Sequence, residues 1–324
     1  MLNVLCFGEA LVDRLGPPGG DPAGDRSSSQ DVLGGAPANV ACALAHLGTA
    51  SALLGRLGRD AIGERFRVLL ARRAVDTAGL QWDERRPSRI VLVSRDARGE
   101  RTFGGFCGDR GEGFADQAIC ADQLPAALFR GARWLLFGTI PLASPVAAEA
   151  LERALALAKA EGLQLALDVN WRPSFWPDPA QAVDRVRPLL DQVQLLKLAA
   201  EEADWLFRSR DPAVVSAALP QGPAVVISDG AAGARWSLGG DQAALPAFAV
   251  DVVDTTGAGD AFLAGLLHGL SETPDLLRQA SPAEALDLFR FASACGALVC
   301  SGAGAIAPQP SRHAVAAFLN SNPH

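Results

Sequence analysis

Residues 254–270 read Asp254-Thr-Thr-Gly-Ala-Gly-Asp260-Ala-Phe-Leu-Ala-Gly-Leu-Leu-His-Gly-Leu270, a cluster of small residues that runs straight into an apolar helical pattern. Gly257, Ala258 and Gly259 let the backbone turn tightly and aim its amides outward where a helix begins, and there the helix dipole favours an anion. Asp260 falls in the first turn, close to such an anion, where a carboxylate could take a proton from an attacking hydroxyl. An ordinary glycine turn followed by an aspartate that complements the dipole would have the same local form. The rest of the chain decides between the two.

A second glycine turn, Gly34-Gly35-Ala36-Pro37-Ala38-Asn39, leads into VACALAHLG. Pro37 suits a first helical turn, Val40, Leu44 and Leu47 form a buried stripe, and Gly48 ends the helix. Asn39 lies off that stripe. It can face the double glycine, where a polyol could approach the bare backbone, or it can simply cap the helix.

Between these turns, short apolar runs recur at Val4–Gly8, Ala50–Leu57, Trp134–Gly138, Leu163–Val169, Val193–Leu198 and Ala224–Ser228, each predicting a buried strand. Helical stretches such as Asp60–Arg73, Ser144–Glu161 and Asp178–Asp191 separate them, so the alternation predicts an α/β fold with a mostly parallel sheet covered on both faces. Polar residues cluster where the strands end: Asp13 after the first, then Asp168, Asn170 and Arg172, then Glu201 and Glu202 after Lys197, and Ser228, Asp229 and Gly230 with Gly233. Open α/β sheets take ligands at such ends, although Asp and Asn also favour turns and paired Glu suits a helix start.

Two stretches break the rhythm. Gly16–Ser29 (GPPGGDPAGDRSSS) is too irregular for an element, and Arg89–Phe106 reads as two strands around a turn at Asp96–Gly99. Together they predict a small β-lid, with lid segments at about 14–33 and 85–110 inserted into one domain over residues 1–324. A further hairpin is expected at Ala234–Leu238 and Ala243–Val250, around GGDQ.

Composition narrows the class. The 324 residues are 49% hydrophobic and 20% charged, enough for a large core and too apolar for a disordered chain. Twenty-nine basic against 36 acidic residues give a formal charge of −7, which argues against a nucleic-acid partner. Cys6, Cys42, Cys107, Cys120, Cys295 and Cys300 form no CxxC pair and read as free thiols; no run reaches 18 apolar residues, so no membrane partner is expected and the protein reads as cytoplasmic. The chain has no GxxxxGK[ST], strict GxGxxG, HExxH or GxSxG, which removes the P-loop, Rossmann, zincin and hydrolase readings.

Both long patterns, in this order and spacing, resemble the ribokinase-like (PfkB) carbohydrate kinases over essentially residues 3–310, and FGEALVD, GGAPANVA, DVNWRPSFW and LKLAAEEADWL resemble the fructokinase branch most. The resemblance implies a three-layer α/β/α fold with a β-lid, and ATP-dependent phosphorylation of fructose at its 6-hydroxyl. By it, Asp13, Gly34, Gly35 and Asn39 would hold the sugar, with Phe103 as a lid contact. Asp260 would be the base, the amides of Gly257, Ala258 and Gly259 the anion hole, and Arg172 would steady the phosphoryl group. Lys197, Ser228, Gly230, Gly233 and Ser293 would lie along ATP. Glu202 would organise Mg²⁺ through water, with Ala199 standing where the family often has Asn. Asp254 and Thr256, with carbonyls at Val299, Gly302 and Gly304, would hold K⁺. The lid's exposed face would be able to pair two subunits. Ribokinase, 2-keto-3-deoxygluconate kinase and nucleoside kinase share both patterns; a catalytically dead binding relative would be expected to lose Asp260 or the small residues before it, and both are present.

Overall fold

The computed structural model describes residues 2–18, 29–95 and 101–322. Most of the Gly16–Ser29 loop and the Asp96–Gly99 turn fall outside them. In chain order the strands are β1 (Val4–Phe7), β2 (Leu11–Pro18), β3 (Gln30–Gly34), β4 (Ser51–Gly58), β5 (Leu80–Asp83), β6 (Ile90–Arg95), β7 (Arg101–Cys107), β8 (Trp134–Phe137), β9 (Gln164–Asp168), β10 (Leu195–Ala199), β11 (Ala224–Ser228), β12 (Ala234–Leu238) and β13 (Asp241–Leu245). Nine of them form the central sheet in the order β13-β12-β11-β10-β9-β8-β1-β4-β5, with every pairing parallel except β11–β12 and β12–β13, which are antiparallel. The chain therefore leaves β1 in one direction and later returns to its other side, a switch point of the kind at which open α/β sheets bind ligands.

The two-residue period of a strand sorts the core into two layers. Val4 and Cys6 of β1 pack beneath the Ala36–Leu47, Ala258–Glu272 and Pro282–Cys300 helices, while Leu5 and Phe7 pack against the Pro145–Ala160 and Ala182–Leu190 helices. All six predicted strands are present. Each is apolar over most of its length because each is buried on both faces, with Lys197 and Asp168 toward the carboxyl ends.

Three expectations need correction. The lid is a four-stranded sheet, β3-β2-β6-β7, in which β2 runs parallel to β6. Gly16, Pro17 and Pro18 thus belong to a strand and not to a loop, tolerated there because the register shifts between Leu15 and Pro18. The late hairpin turns earlier than expected, at Gly239–Gly240, and its second strand is Asp241–Leu245, ended by Pro246, with Trp236 Nε1 donating to Asp241 Oδ2 at 2.8 Å. β5 is absent from the expected strands: Leu80-Gln81-Trp82-Asp83 does alternate apolar and polar residues, but over only four positions, too short a run to mark a strand.

Candidate active site

The carboxyl ends of β1 and β8 to β11 open on one side of the sheet. Lys197 on β10 stands opposite Asp168 on β9 in register, and its Nζ donates to Asp168 Oδ1 at 2.9 Å with both side chains buried. Burial opposes the lysine charge, but Asp168, Glu202 and Asp260 together outweigh it and hold the Lys197 pKa above its usual value. Lys197 is therefore tied down under the glycine turn, where a Cβ at Gly259 would come 3.5 Å from Nζ, and does not line the groove described below.

The turn itself behaves as its small residues require. Gly257 caps the Ala258–Glu272 helix; Ala258 N donates back to Thr255 O at 3.2 Å, and the Gly259 amide that follows has no acceptor within the helix. Asp260 Oδ2 accepts from Asn39 Nδ2 at 2.7 Å, joining two patterns 221 residues apart in sequence. Burial pushes the Asp260 carboxyl up to about 6; Asn39 opposes the rise, Asp168 adds to it, and Lys197 and Arg172 pull against it. Arg172 stands exposed at the rim, with Nη1 donating to Trp171 O at 3.2 Å.

Asn39 is not a cap. The Ala36–Leu47 helix is capped by Gly35 and is buried nearly all round, so Asn39 is enclosed at 4% exposure and its Oδ1 has no partner within the protein. An orphaned buried acceptor beside a carboxylate is a place for a ligand hydroxyl to donate. Gly35 has φ +99 and a Cβ there would meet Glu9 O at 2.6 Å, so only glycine brings the backbone this close to the end of β1. Asp13 on β2 faces Gly34 across the strand pair, 3.3 Å from where a Cβ would be. Phe103 on β7 is 43% exposed and meets Phe106 edge-on, with ring centroids 5.1 Å apart.

On the other side of Asp260 lies a groove of about 640 Å³. Ser228, Gly230, Gly233 and Ser293 all line it, and Ala258 and Gly259 form the end nearest Asp260. Val252, 62% exposed and two residues before the DTTGAGD turn, also lines this groove; no local pattern in the sequence marked it. Glu9 was missed too. It is 4% exposed, its Oε1 accepts from Ala36 N at 3.2 Å, and burial pushes its carboxyl up to about 8.

The predicted cation residues meet at one junction. Asp254 Oδ1 accepts from Thr256 N and Oγ1 at 3.0 and 2.7 Å, while Oδ2 accepts from Gly304 N at 2.9 Å, so one carboxylate clasps the two loops. Gly302 N donates to Val299 O at 3.2 Å. Glu202 is also occupied: Oε1 accepts from Trp171 N at 2.6 Å and Oε2 from Ala199 N at 2.7 Å. Among the described residues no group of three His, Cys, Asp or Glu could hold a metal, and no helix is long and apolar enough to cross a membrane.

A family model described as pfkB family carbohydrate kinase matches residues 1–312. The chain is 31% identical to Fructokinase-1 of Zea mays over 311 residues, 95% of this chain and 94% of that protein. Fructokinase from Xylella fastidiosa with bound ATP matches at TM-score 0.87 and 28% identity over 99% of both chains. A fructokinase double mutant from Vibrio cholerae O395, in fructose, ADP and potassium ion bound form, matches at TM-score 0.84 and 31% identity over 98% of both.

Proposed function

Since this chain belongs to the pfkB family of carbohydrate kinases, we propose that it transfers the γ-phosphoryl group of ATP to the 6-hydroxyl of fructose, with Asp260 as the base. The observation that carries this reading is the position of Asp260: hydrogen-bonded to Asn39 on the sugar side, and in the first helical turn beside the groove on the other. The sugar hydroxyl gives its proton to Asp260 as its oxygen attacks the γ-phosphorus in line. Charge that develops on the phosphoryl oxygens meets the amides at Gly257 to Gly259, with the Lys197 charge beneath them and Arg172 at the rim. Asn39, Gly34, Gly35 and Asp13 hold the sugar, and the unpartnered Asn39 Oδ1 accepts one of its hydroxyls.

Two metals fit this arrangement differently. Glu202 spends one lone pair of each oxygen on a backbone amide, and among the described residues no carboxylate cage stands nearby, which suits magnesium held on the nucleotide phosphates and reached by Glu202 through water. Bound there, it neutralises phosphate charge. The Asp254–Gly304 junction brings together a carboxylate and a hydroxyl oxygen, hard donors of the kind an alkali cation takes, and a relative was crystallised with potassium. A cation there holds the two loops together and keeps the glycine amides aimed. Turnover is expected to rise several-fold when K⁺ replaces tetramethylammonium at equal ionic strength; equal rates in the two would remove the site.

Fructose is favoured by the names of the relatives, and the acidic Asp13 disfavours a sugar acid at that end of the pocket. A pocket built to hydrogen-bond particular hydroxyls penalises a sugar that lacks them, because its buried polar groups stay unpaired. With saturating MgATP, kcat/KM for fructose is expected to exceed that for ribose, 2-keto-3-deoxygluconate and adenosine by about tenfold or more. A higher value for any of the three would overturn the substrate and leave the kinase chemistry standing.

A further inference from the structure

Arg89 is a buried cation that the proposed chemistry does not use. It precedes β6 at the base of the lid, is 3% exposed, and its Nε donates to Asp116 Oδ2 at 2.8 Å, with Asp116 buried as well. Three rings surround it: the guanidinium carbon lies 4.8 Å from the centroid of Phe106, 4.7 Å from Phe114 and 4.8 Å from Phe175. Phe106 and Phe175 also touch each other edge-on at 4.9 Å. The rings come from different parts of the molecule. Phe106 is on lid strand β7, Phe114 follows the lid, and Phe175 lies three residues after Arg172 in the loop that ends β9. The Arg89 carbonyl accepts from Val12 N at 3.0 Å, next to Asp13.

Burying an ion pair is seldom the most stable way to fill a core, and similar-sized apolar side chains often pack as well or better. This pair is also incompletely satisfied, since Asp116 Oδ1 is buried with no hydrogen-bond partner. Cation–π attraction, however, is directional: it holds each ring face against the cation, which apolar packing does not. One guanidinium therefore fixes the lid strand and the Arg172 loop relative to each other.

We infer that Arg89 is a positioning residue that couples the lid strand carrying Phe103 and Phe106 to the loop presenting Arg172. The inference rests on the kinase reading for its effect on turnover, but the coupling is a property of the free protein. A lid strand seated over the sugar and an arginine seated on the phosphoryl group would then arrive together, so that Arg172 is in place only when the acceptor is covered.

Four variants test this in the full chain. Arg89→Met is expected to lower kcat on the sugar that the wild type phosphorylates by about 10-fold or more, with KM for ATP within about twofold. Arg89→Lys, which keeps a cation above the rings, is expected to recover part of that loss. Because Arg89→Met strands Asp116, the double variant Arg89→Met/Asp116→Leu removes both charges, and it should fold while keeping the kinetic defect. Phe175→Leu leaves the ion pair intact and cuts only the link to the Arg172 loop, so it should reproduce the fall in kcat with little change in melting temperature. Hydrogen exchange on the unliganded protein needs no substrate: in Arg89→Met/Asp116→Leu, segments 101–107 and 170–176 should both exchange faster, with the central strands unchanged. Faster exchange in the lid alone, or kcat for Phe175→Leu within twofold of wild type, would overturn the coupling. A wild type inactive on fructose would overturn the substrate instead, and the exchange result would still decide this inference.

Discussion

Asp260→Asn is expected to lower kcat by about 10²–10⁴-fold while leaving the fold and the affinity for ATP within a fewfold of wild type. The amide is isosteric with the carboxylate and can still accept from Asn39 Nδ2, so the pocket keeps its shape and loses only the proton acceptor. The pH dependence carries a second signature. Burial raises the Asp260 pKa from 3.8 to about 6, and the base works only when ionised, so kcat/KM for the sugar should fall as pH drops through about 6 and not near 4. The stability linkage has the opposite sense. A carboxyl whose folded pKa is raised binds more protons in the folded state between 3.8 and about 6, so its contribution to stability declines as pH rises through that window. Asp260→Asn should therefore melt at or above the wild-type temperature at pH 7.5, measured by calorimetry. A variant that keeps more than about a tenth of wild-type turnover would assign the base to another group.

Gly257→Val is expected to reduce kcat/KM by about 10²-fold or more, comparable with losing an oxyanion-hole donor. Gly257 has φ +78, in the region that disfavours any side chain and β-branched ones most. A Cβ would also sit 2.6 Å from Ala305 Cβ, 2.8 Å from Ala305 Cα and 3.0 Å from Ala305 O. Two of these are backbone atoms, so the 302–306 loop has to move. That loop donates Gly304 N to Asp254, and the displacement reaches the Asp254 clasp as well as the helix amides. Gly257→Ala should be milder in the same direction, and both should respond less to K⁺ than the wild type in the same kinetic assay. A Gly257→Val enzyme within threefold of wild type would mean that the amides at this turn do not carry the transition-state charge.

The parts legible from sequence are those whose causes are local. Small residues at 257–259 turn tightly whatever surrounds them, Gly48 ends a helix because it adopts φ +97 at no cost, and β1 alternates Val4 and Cys6 with Leu5 and Phe7 because a strand has a period of two. The family resemblance extended this to a site, and Ser228, Gly230, Gly233 and Ser293, which it would place along ATP, line one groove. Where the local rule was weak, the reading slipped. Gly16-Pro17-Pro18 has the composition of a loop, but pairing with Ile90–Arg95 overrides that composition and makes it the end of a strand. Asn39 lies off the apolar stripe, yet it is as buried as the stripe because its helix is enclosed on nearly all sides.

The class of the fold, the two glycine turns and the acid poised at a helix start are written in the chain locally, since each follows from conformational freedom, periodicity and the helix dipole within a dozen residues. What those residues touch is set by packing. Asp260 meets Asn39 across 221 positions, Lys197 is paired with Asp168 on the neighbouring strand, Glu202 is committed to two backbone amides, and Arg89 gathers three rings from separate segments. The physical reason is that electrostatic and cation–π energies depend on distance and burial, and both are properties of the packed chain that no local pattern encodes.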